Sequence, residues 1–453
     1  MSAKDTIVAL SSPVGESALA IIRITGVDSP ALGKAIRGIN SPLLPRQAVL
    51  CKYLSIKGLE IDQGVFISYP ENRSFTGEAM LEIMPHGNPL IVQNIIEDLL
   101  ARGCRMAEPG EFTKRAFLNG KMDLSQAEAV ADIIHARSKF SLEVARKQLN
   151  GSIGEKMSNL TDLLLAILAD IEAYIDFPDE DLPPETQDGP RNKLNGLIME
   201  VEALIETNQY ATILNSGIKT VIIGPPNAGK SSLINELVGS ERALVSSKAG
   251  TTRDFISSSI MLDDYRIEII DTAGLHSTTD PLEKKGIEKT LQLAQEADFY
   301  LFILDYSSPT PKLPQEVGVT LSPKNTIVIE NKKDLDSEFS HEKFMSDTKH
   351  CSISLRENIG IKDLKIAFKE LIDRSILRPK NKDAIVLNAR HTNSLRKALT
   401  ALKECSENID NQQFSEIIAQ DLRNAIENFG EVIGSVDNEA MLDKLFQNFC
   451  IGK

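Results

Sequence analysis

Three short motifs in the middle of the 453-residue chain have the residue types and spacing to bind a guanine nucleotide. Residues 224–232 read Gly-Pro-Pro-Asn-Ala-Gly-Lys-Ser-Ser, a glycine loop whose backbone N–H groups can surround phosphates. Residues 271–274 read Asp-Thr-Ala-Gly, and residues 331–334 read Asn-Lys-Lys-Asp. The carboxylate of Asp334 can accept two hydrogen bonds from the N–H edge of guanine, which adenine lacks. The three motifs therefore predict GTP as the ligand.

Lys230 and Ser231 are placed to act on phosphate and metal. The Lys230 ammonium can reach the β- and γ-phosphates, and the hydroxyls of Ser231 and Thr252 can ligate Mg²⁺. At residues 275–276, where Ras-like proteins carry a glutamine that orients the attacking water, this chain has Leu-His, so another group must position the water. Arg253 is the nearest candidate for an arginine finger, but a structural or partner-facing role is favoured for it. The predicted GTP contacts are Asn227, Ala228, Gly229, Lys230, Ser231, Ser232, Ser246, Thr251, Thr252, Asp271, Thr272, Ala273, Gly274, Asn331, Lys332, Asp334, Ser354 and Leu355.

Buried strands must present these motifs, because a phosphate loop is credible only between a strand and a helix. Apolar runs predict strands over residues 220–223, 266–270 and 327–330, each ending at one of the motifs, and a helix from residue 231. This order is typical of a Ras-like P-loop GTPase domain built on a doubly wound sheet.

The sequence changes character on both sides of this domain. Residues 1–120 predict a mixed α/β domain, whereas residues 122–215 and those from 388 onwards have helical periodicity. A capping box from Ser125 to Glu128 is predicted to open the first helix of this part. The simplest architecture is a helical bundle domain in two segments, with the nucleotide domain inserted between them. The predicted domains are 1–120, 121–215, 216–377 and 378–453, and the first contains strands over 7–10, 20–24 and 64–68 and a helix over 89–102.

Composition and charge exclude several classes of protein. The net charge of −14 argues against a protein that coats nucleic acid non-specifically. The five cysteines form no CxxC pair, so neither a disulfide framework nor a zinc site is indicated. Acidic residues interrupt the most apolar helix, over 160–177, and the N-terminus is a poor signal peptide. A soluble, cytoplasmic protein is expected. Residues 374–403 hold eight Lys or Arg and one acid, a candidate surface for nucleic-acid phosphate contact, although an ordinary solvated helix face is favoured.

The regions that flank the nucleotide domain resemble a known family. The chain is similar, over essentially its whole length, to the MnmE (TrmE) family of bacterial and organellar tRNA-modification GTPases. The most specific segments are the run 107–121, Ala-Glu-Pro-Gly-Glu-Phe-Thr-Lys-Arg-Ala-Phe-Leu-Asn-Gly-Lys, and the ending 449–453, Phe-Cys-Ile-Gly-Lys. Further matching segments are 5–9, 23–26, 74–78, Glu82, 86–87, 126–130 and 175–178.

The resemblance implies a function in tRNA modification. Such proteins act with an FAD-binding partner, MnmG (GidA), in a heterotetramer, and add an aminomethyl or carboxymethylaminomethyl group to C5 of the wobble uridine of certain tRNAs. The carbon comes from a tetrahydrofolate derivative, 5,10-methylene- or 5-formyl-tetrahydrofolate, held in an N-terminal α+β folate-binding domain that also forms a homodimer. Matching positions imply folate contacts for Arg23, Glu82, Lys121 and Lys453, each of which alone would pass for a solvated charge.

The same resemblance implies a potassium-dependent GTPase. By matching position, K⁺ takes the place of an arginine finger and is held by Asn227, Ser246, the backbone of Lys248, and Thr251. Glu283 matches a glutamate that positions the hydrolytic water indirectly, which would compensate for the missing glutamine. Cys450 matches a thiol near the end of the chain, with catalytic and purely structural roles about equally favoured by its chemistry.

The chain departs from the family pattern at residues 14–18 and at Asn88, which affects details of the folate pocket and of the dimer contact. It also departs at Leu355, where the backbone contact stays possible but the side chain behind the base changes. Two other functions stay open. One is a regulatory or ribosome-assembly GTPase whose flanking domains only bind partners. The other is a folate-dependent enzyme that acts on a protein or a small molecule. The segments 107–121 and 449–453 favour tRNA modification.

Overall fold

The structure is a computed structural model, and the chain in it is a multidomain α/β and α protein. It describes residues 5–176, 188–208, 217–239, 257–263, 265–271, 297–311, 321–336, 339, 341, 343–375, 385–411, 413–434, 442, 445–447, 449 and 452. The chain forms two compact units: residues 1–134, 145–201 and 393–453 make the first, and residues 135–144 and 202–392 make the second. The finer division into domains at 120, 215 and 377 stays a prediction.

A mixed sheet organises the N-terminal part of the first unit. Among the described strands its spatial order is β4 (Val49–Leu54), β5 (Glu60–Tyr69), β6 (Met80–Met84), β3 (Ile22–Thr25), β1 (Ile7–Leu10) and β8 (Arg105–Met106). All neighbours are antiparallel except β1 and β8, which are parallel. Strands β2 (Ser17–Leu19) and β7 (His86–Gly87) pair separately. The register of β3 against β6 places Arg23 directly opposite Glu82.

Three helices, α1 (Ser29–Ala35), α2 (Pro89–Ala101) and α3 (Glu111–Leu118), accompany this sheet. Helix α2 begins where predicted, because Asn88 Oδ1 accepts a hydrogen bond from Leu90 N at 2.9 Å and Pro89 fits the first helical position. Asn88, a departure from the family pattern, thus acts as a helix cap. The apolar face of α2 and the inner face of the sheet bury a common core that includes Ile22, Ile24, Phe66, Leu81, Ile83, Ile95 and Leu99.

Long helices follow: α4 (Leu124–His135), α5 (Lys139–Leu149), α6 (Ser152–Asp176) and α7 (Asp188–Glu206). The buried residues of α6 recur every three or four positions, so that one stripe of the helix faces its neighbours. These residues are Ile153, Met157, Leu160, Leu164, Ile167 and Leu168. The predicted helical segment is thereby confirmed.

The capping box predicted from Ser125 to Glu128 is wrong. The reciprocal pair is Asp123 and Gln126: Asp123 Oδ1 accepts from Gln126 N at 2.8 Å, and Gln126 Oε1 accepts from Asp123 N at 3.0 Å. The Ser125 hydroxyl instead donates to Asp123 Oδ1 at 2.6 Å. A carboxylate accepts more hydrogen bonds than a hydroxyl and is favoured by the positive end of the helix dipole, so the cap forms at Asp123.

A second sheet lies at the centre of the second unit. Its described order is β10 (Ser257–Leu262), β11 (Tyr265–Asp271), β9 (Ile218–Ile223), β12 (Phe299–Asp305), β13 (Thr326–Asn331) and β14 (Lys349–Ser352), parallel except for β10. Helices α8 (Lys230–Gly239) and α9 (Ile361–Ser375) pack on it. The strand order reverses at β9, which places the loop after β9 at the switch point where α/β sheets bind ligands.

The chain ends with α10 (Ala389–Asp410) and α11 (Ser415–Ile433). Within the first unit α11 packs along α6, and Arg423 Nη2 donates to Glu172 Oε1 at 2.6 Å. The helical patterning expected from residue 388 is confirmed. Of the helices in the described ranges, none has the length and apolar character needed to cross a membrane.

Candidate functional site

The loop after β9 has a shape that only glycine permits at two positions. A Cβ on Gly224 would lie 2.1 Å from the carbonyl oxygen of Ile303, and a Cβ on Gly229 would lie 2.3 Å from Asn331 Nδ2. Gly229 also has φ +107°, a conformation that side chains disfavour. The loop can therefore curl tightly against the ends of β12 and β13, which is the geometry that a phosphate cradle requires.

Lys230, Ser231 and Ser232 begin helix α8 directly after the loop. Lys230 Nζ donates to the carbonyl oxygens of Gly224 and Pro225 at 2.9 and 3.0 Å, so its ammonium lies over the loop. Ser231 and Ser232 are exposed in the first helical turn. An ammonium, two hydroxyls and the positive end of a helix dipole thus meet beside one backbone loop, a combination suited to phosphate and Mg²⁺.

The Asn331 side chain joins the loop to the segment around Ser354. It is buried, and its Nδ2 donates to Ala228 O at 2.8 Å while its Oδ1 accepts from Leu355 N at 3.2 Å. A side-chain amide is needed here, because it must donate on one side and accept on the other. Three predicted contacts from distant parts of the sequence, Ala228, Asn331 and Leu355, are thereby brought together.

Asp334 is exposed, and it is oriented by Ser354, which is buried. Ser354 Oγ donates to Asp334 Oδ1 at 2.6 Å, and this hydrogen bond lowers the pKa of the carboxyl. The carboxylate therefore stays ionised and keeps acceptor positions for a ligand, as recognition of the guanine N–H edge requires. The side chain of Leu355 packs against the core under the loop. Leu355 therefore keeps the hydrogen bond of its backbone N–H to Asn331 and adds an apolar side chain behind that contact.

Asp305, which sequence reasoning missed, fixes the lysine of this motif. Lys332 Nζ lies 2.6 Å from Asp305 Oδ2, and Asp305 Oδ1 accepts from Ser307 N and Oγ at 3.0 and 2.7 Å. Burial alone would raise the pKa of Asp305, but the hydrogen bonds from Lys332 and Ser307 outweigh it and lower the pKa. Lys333 Nζ lies 3.6 Å from the centroid of the Tyr306 ring. The sequence signal that could have identified Asp305 is its place at the end of the apolar strand β12, just as Asp271 ends β11.

Several predicted residues of this site lie outside the described part of the structure. They are Ser246, Lys248, Thr251, Thr252, Arg253, Thr272, Ala273, Gly274, 275–276 and Glu283. Asp271 ends β11, opposite Ile222 of β9. Asn227 is exposed and has φ +60°, which turns the loop. The proposed K⁺ and Mg²⁺ ligand sets and the water-positioning role of Glu283 stay predictions.

A second candidate site lies on the N-terminal sheet. Arg23 Nε donates to Glu82 Oε1 at 2.8 Å, Tyr69 OH donates to Glu82 Oε2 at 3.0 Å, and the Arg23 guanidinium lies 5.9 Å from the centroid of the Phe75 ring. Glu82 is nearly buried whereas Arg23 is partly exposed. A carboxylate that carries one cation and one hydroxyl can still accept hydrogen bonds at its other lone pairs.

Lys121 and the end of the chain approach the same domain. Lys121 Nζ donates to Asn72 O at 2.6 Å, on the loop that also carries Phe75. Gly452 O accepts a hydrogen bond from Ser11 Oγ at 3.0 Å, next to the end of β1, and a Cβ on Gly452 would lie 2.5 Å from Leu10 O. Lys453 and Cys450, which flank this contact, lie outside the described residues.

The basic stretch 374–403 is only partly described, since residues 376–384 fall outside the structure's described ranges. Arg374 pairs with Glu370 at 3.7 Å, and Lys397 pairs with Glu431 at 3.1 Å. These exposed ion pairs fit the solvated helix face that the sequence favoured over a phosphate-binding surface.

Comparison with known proteins extends the likeness to the whole chain. A sequence model described as the MnmE helical domain matches residues 124–450, and one described as the GTP-binding protein TrmE N-terminus matches residues 6–121. The tRNA modification GTPase MnmE of Opitutus terrae is 46% identical over 457 residues, covering 99% of each chain. That of Aquifex aeolicus is 38% identical over 451 residues, covering 99% of this chain and 100% of its own.

Among solved structures, the G domain of the T. maritima FeoB iron transporter is 23% identical, covers 34% of this chain and 99% of its own, and has a TM-score of 0.26. A likeness this weak carries no argument about the present chain.

Proposed function

Because the chain belongs to the MnmE family of tRNA modification GTPases, we propose that it hydrolyses GTP and uses the hydrolysis to modify tRNA. The observation that supports this most is the side chain of Asn331, which ties the phosphate loop at Ala228 to Leu355 beside the base-recognition residues. This link brings the phosphate-binding and guanine-binding halves of one site together, as a GTPase requires.

The modification that we propose is the addition of an aminomethyl or carboxymethylaminomethyl group to C5 of the wobble uridine, with an MnmG-type FAD-binding partner. We further propose a cytoplasmic homodimer that joins this partner in a heterotetramer. Domains 1–120, 121–215, 216–377 and 378–453 would supply folate binding and dimerisation, the helical bundle, the GTPase and the second part of the bundle.

In the nucleotide site the chain's own residues bind and orient. Lys230 Nζ can exchange its two loop carbonyls for phosphate oxygens, because both partners are neutral and a phosphate is charged. Ser231, with Thr252, is placed to hold Mg²⁺, which neutralises phosphate charge when bound. Asp334, kept ionised by Ser354, selects guanine.

Positive charge at the transferring phosphate needs a source other than an arginine finger. The amide of Asn227, on a turn of the phosphate loop, is a suitable oxygen donor for an alkali cation, and Ser246, Lys248 and Thr251 would complete the set. Bound K⁺ would supply this charge. Glu283 would order the water that attacks.

We propose that the second candidate site, around Arg23 and Glu82, binds a reduced folate. The Glu82 carboxylate can accept from the N–H edge of the pterin, and Arg23 orients it. Lys121 and Lys453 would meet the glutamate tail. The contact of Gly452 with Ser11 ties the end of the chain to this domain. From the match to the family, we propose that Cys450 is a thiol with a catalytic role.

Mass spectrometry of wobble nucleosides from a strain that lacks the gene tests this proposal. We expect the C5 modification to disappear in this strain and to return when the wild-type gene is supplied. The Lys230→Ala gene should not restore it, because this variant lacks the ammonium that contacts the phosphates of GTP. Unchanged modification in the deletion strain would refute the proposal and favour a regulatory or ribosome-assembly GTPase.

A further inference from the structure

The segment 107–121 is the most specific match to the family, yet the proposed function uses only its last residue. Within it, Glu111, Arg115 and Asn119 recur every four positions from α3 to the residue after it. Residues four apart in a helix lie on the same face. The segment therefore presents one polar stripe, of which Glu111 is buried and Arg115 nearly so.

Arg115 is the most connected member of the stripe. Its guanidinium donates to Asp5 Oδ1 at 2.7 Å, to Glu78 Oε2 at 3.1 Å and to Glu111 Oε1 at 3.0 Å, with its side chain 11% exposed. Arg105 shares two of these acids: its Nη2 lies 2.7 Å from Asp5 Oδ2 and 2.6 Å from Glu111 Oε1. Glu78 is the third acid that Arg115 contacts, whereas Arg105 pairs with the other two. The planar fork of arginine suits such multiple carboxylate contacts.

The loop 72–78 is held by this stripe and by its neighbours. Asn119 Nδ2 donates to Thr76 O at 2.7 Å, and Lys121 Nζ donates to Asn72 O at 2.6 Å. Thr76 Oγ1 and Thr25 Oγ1 lie 2.7 Å apart in a buried pair. Together with the bond from Arg115 to Glu78, these contacts fix the loop at its start, at its middle and at its end.

The loop carries Phe75 between these fixed points. Its ring packs on the buried cluster of Ile7, Ala9, Ala107 and Phe112 and lies 5.9 Å from the Arg23 guanidinium. An arginine beside an aromatic ring and bonded to Glu82 has few orientations left. The position of Arg23 thus depends on a loop that α3 holds in place.

We propose that Arg115 is a positioning residue of the second candidate site, around Arg23 and Glu82. Through Glu78 it holds the loop 72–78 in the shape that places Phe75 against Arg23. The proposal rests on the proposed folate function for the identity of its ligand. The effect of Arg115 on the conformation of the loop 72–78 can be measured without any ligand.

Calorimetric titration with 5-formyltetrahydrofolate measures how tightly each variant binds this ligand. Arg115→Lys keeps the charge but loses the planar guanidinium fork. Glu78→Gln removes the charge of the loop carboxylate to which Arg115 donates and which also accepts from Thr25 Oγ1 at 3.0 Å. We expect each to raise the Kd about tenfold, the loss of roughly one charge-assisted hydrogen bond. Arg105→Lys is the matched control, since Arg105 shares Asp5 and Glu111, and should leave the Kd near that of the wild type. GTP hydrolysis, located in the other unit, should be unchanged in all three.

A second measurement reports on the loop itself. The chain has no tryptophan, so Phe75→Trp introduces a single tryptophan into the loop, whose emission can be excited selectively over that of the tyrosines. In this background Arg115→Lys should shift the emission to longer wavelength and increase quenching by acrylamide, whereas Arg105→Lys should not.

Equal effects of Arg115→Lys and Arg105→Lys in both measurements, or none from Arg115→Lys and Glu78→Gln, would overturn the positioning role. If the wild type fails to bind 5-formyltetrahydrofolate while the fluorescence of the Phe75→Trp protein responds only to Arg115→Lys, the folate function is wrong and the positioning role stands.

Discussion

Replacement of Asp305 by asparagine should weaken guanine-nucleotide binding, because Asp305 holds the ammonium of Lys332 in the base-recognition motif. Lys332 Nζ lies 2.6 Å from Asp305 Oδ2. The Asp305 side chain is 13% exposed and that of Lys332 is 34% exposed. Fully exposed ion pairs contribute about 0–1 kcal/mol, and charge-assisted hydrogen bonds about 1.5–3 kcal/mol. The pair of Asp305 and Lys332 is partly exposed and lies between these cases. We therefore expect Asp305→Asn to cost about 1.4 kcal/mol of binding free energy, which corresponds to about a tenfold rise in Kd.

Titration with a fluorescent GDP analogue measures this Kd. Asp298→Asn is a suitable control, because Asp298 lies next to the other end of β12, where its carboxylate accepts from Lys219 N at 2.8 Å. The control should bind GDP normally. Lys332→Met keeps the stem of the side chain but removes the ammonium, so Asp305→Asn should add little to it.

Three results would refute this reasoning. The first is a wild-type Kd for Asp305→Asn. The second is an equal loss for Asp305→Asn and Asp298→Asn, which would indicate that a change of charge at either end of β12 weakens the domain. The third is full additivity of Asp305→Asn with Lys332→Met, which would show that the two side chains do not act together.

Three further predictions concern the cation, the water and the response to acid. GTP hydrolysis should be faster in K⁺ than in Na⁺, because Asn227 and residues 246–251 can build a cation site, and equal rates would contradict it. Glu283→Ala should slow single-turnover hydrolysis while the Kd for GTP stays near normal; wild-type turnover would remove Glu283 from the mechanism. Burial would raise the pKa of Glu111, but hydrogen bonds from Arg105, the Glu108 backbone and Arg115 outweigh it and lower the pKa below 4.5. Because the pKa of Glu111 is lower in the folded than in the unfolded protein, its carboxylate stabilises the fold above pH 4.5, and this contribution is lost as the pH falls through the pKa of the folded state. The midpoint of thermal unfolding should therefore fall more steeply between about pH 6 and pH 3 for the wild type than for Glu111→Gln. Parallel slopes would exclude this role of Glu111.

Local spacing determined the parts of the protein that depend on neighbouring residues. The phosphate loop, the strands that lead into the three motifs and the helices of the flanks follow from short-range periodicity and from glycine and capping preferences. Even there the choice between nearby caps went wrong at Ser125, because the carboxylate of Asp123, two residues earlier, accepts the hydrogen bond from Gln126 N.

The tertiary structure decided which distant side chains meet. Sheet register places Arg23 opposite Glu82, and parallel strand order brings Asp305 of β12 beside Lys332 after β13. The contact of Arg115 with Glu78 depends on the packing of α3 against the sheet domain. Spacing along the chain carries no direct information on such pairs, because their geometry is set by register and packing. The sequence by itself therefore determined the ligand class and the order of elements, whereas the partners that position each binding side chain emerged only in three dimensions.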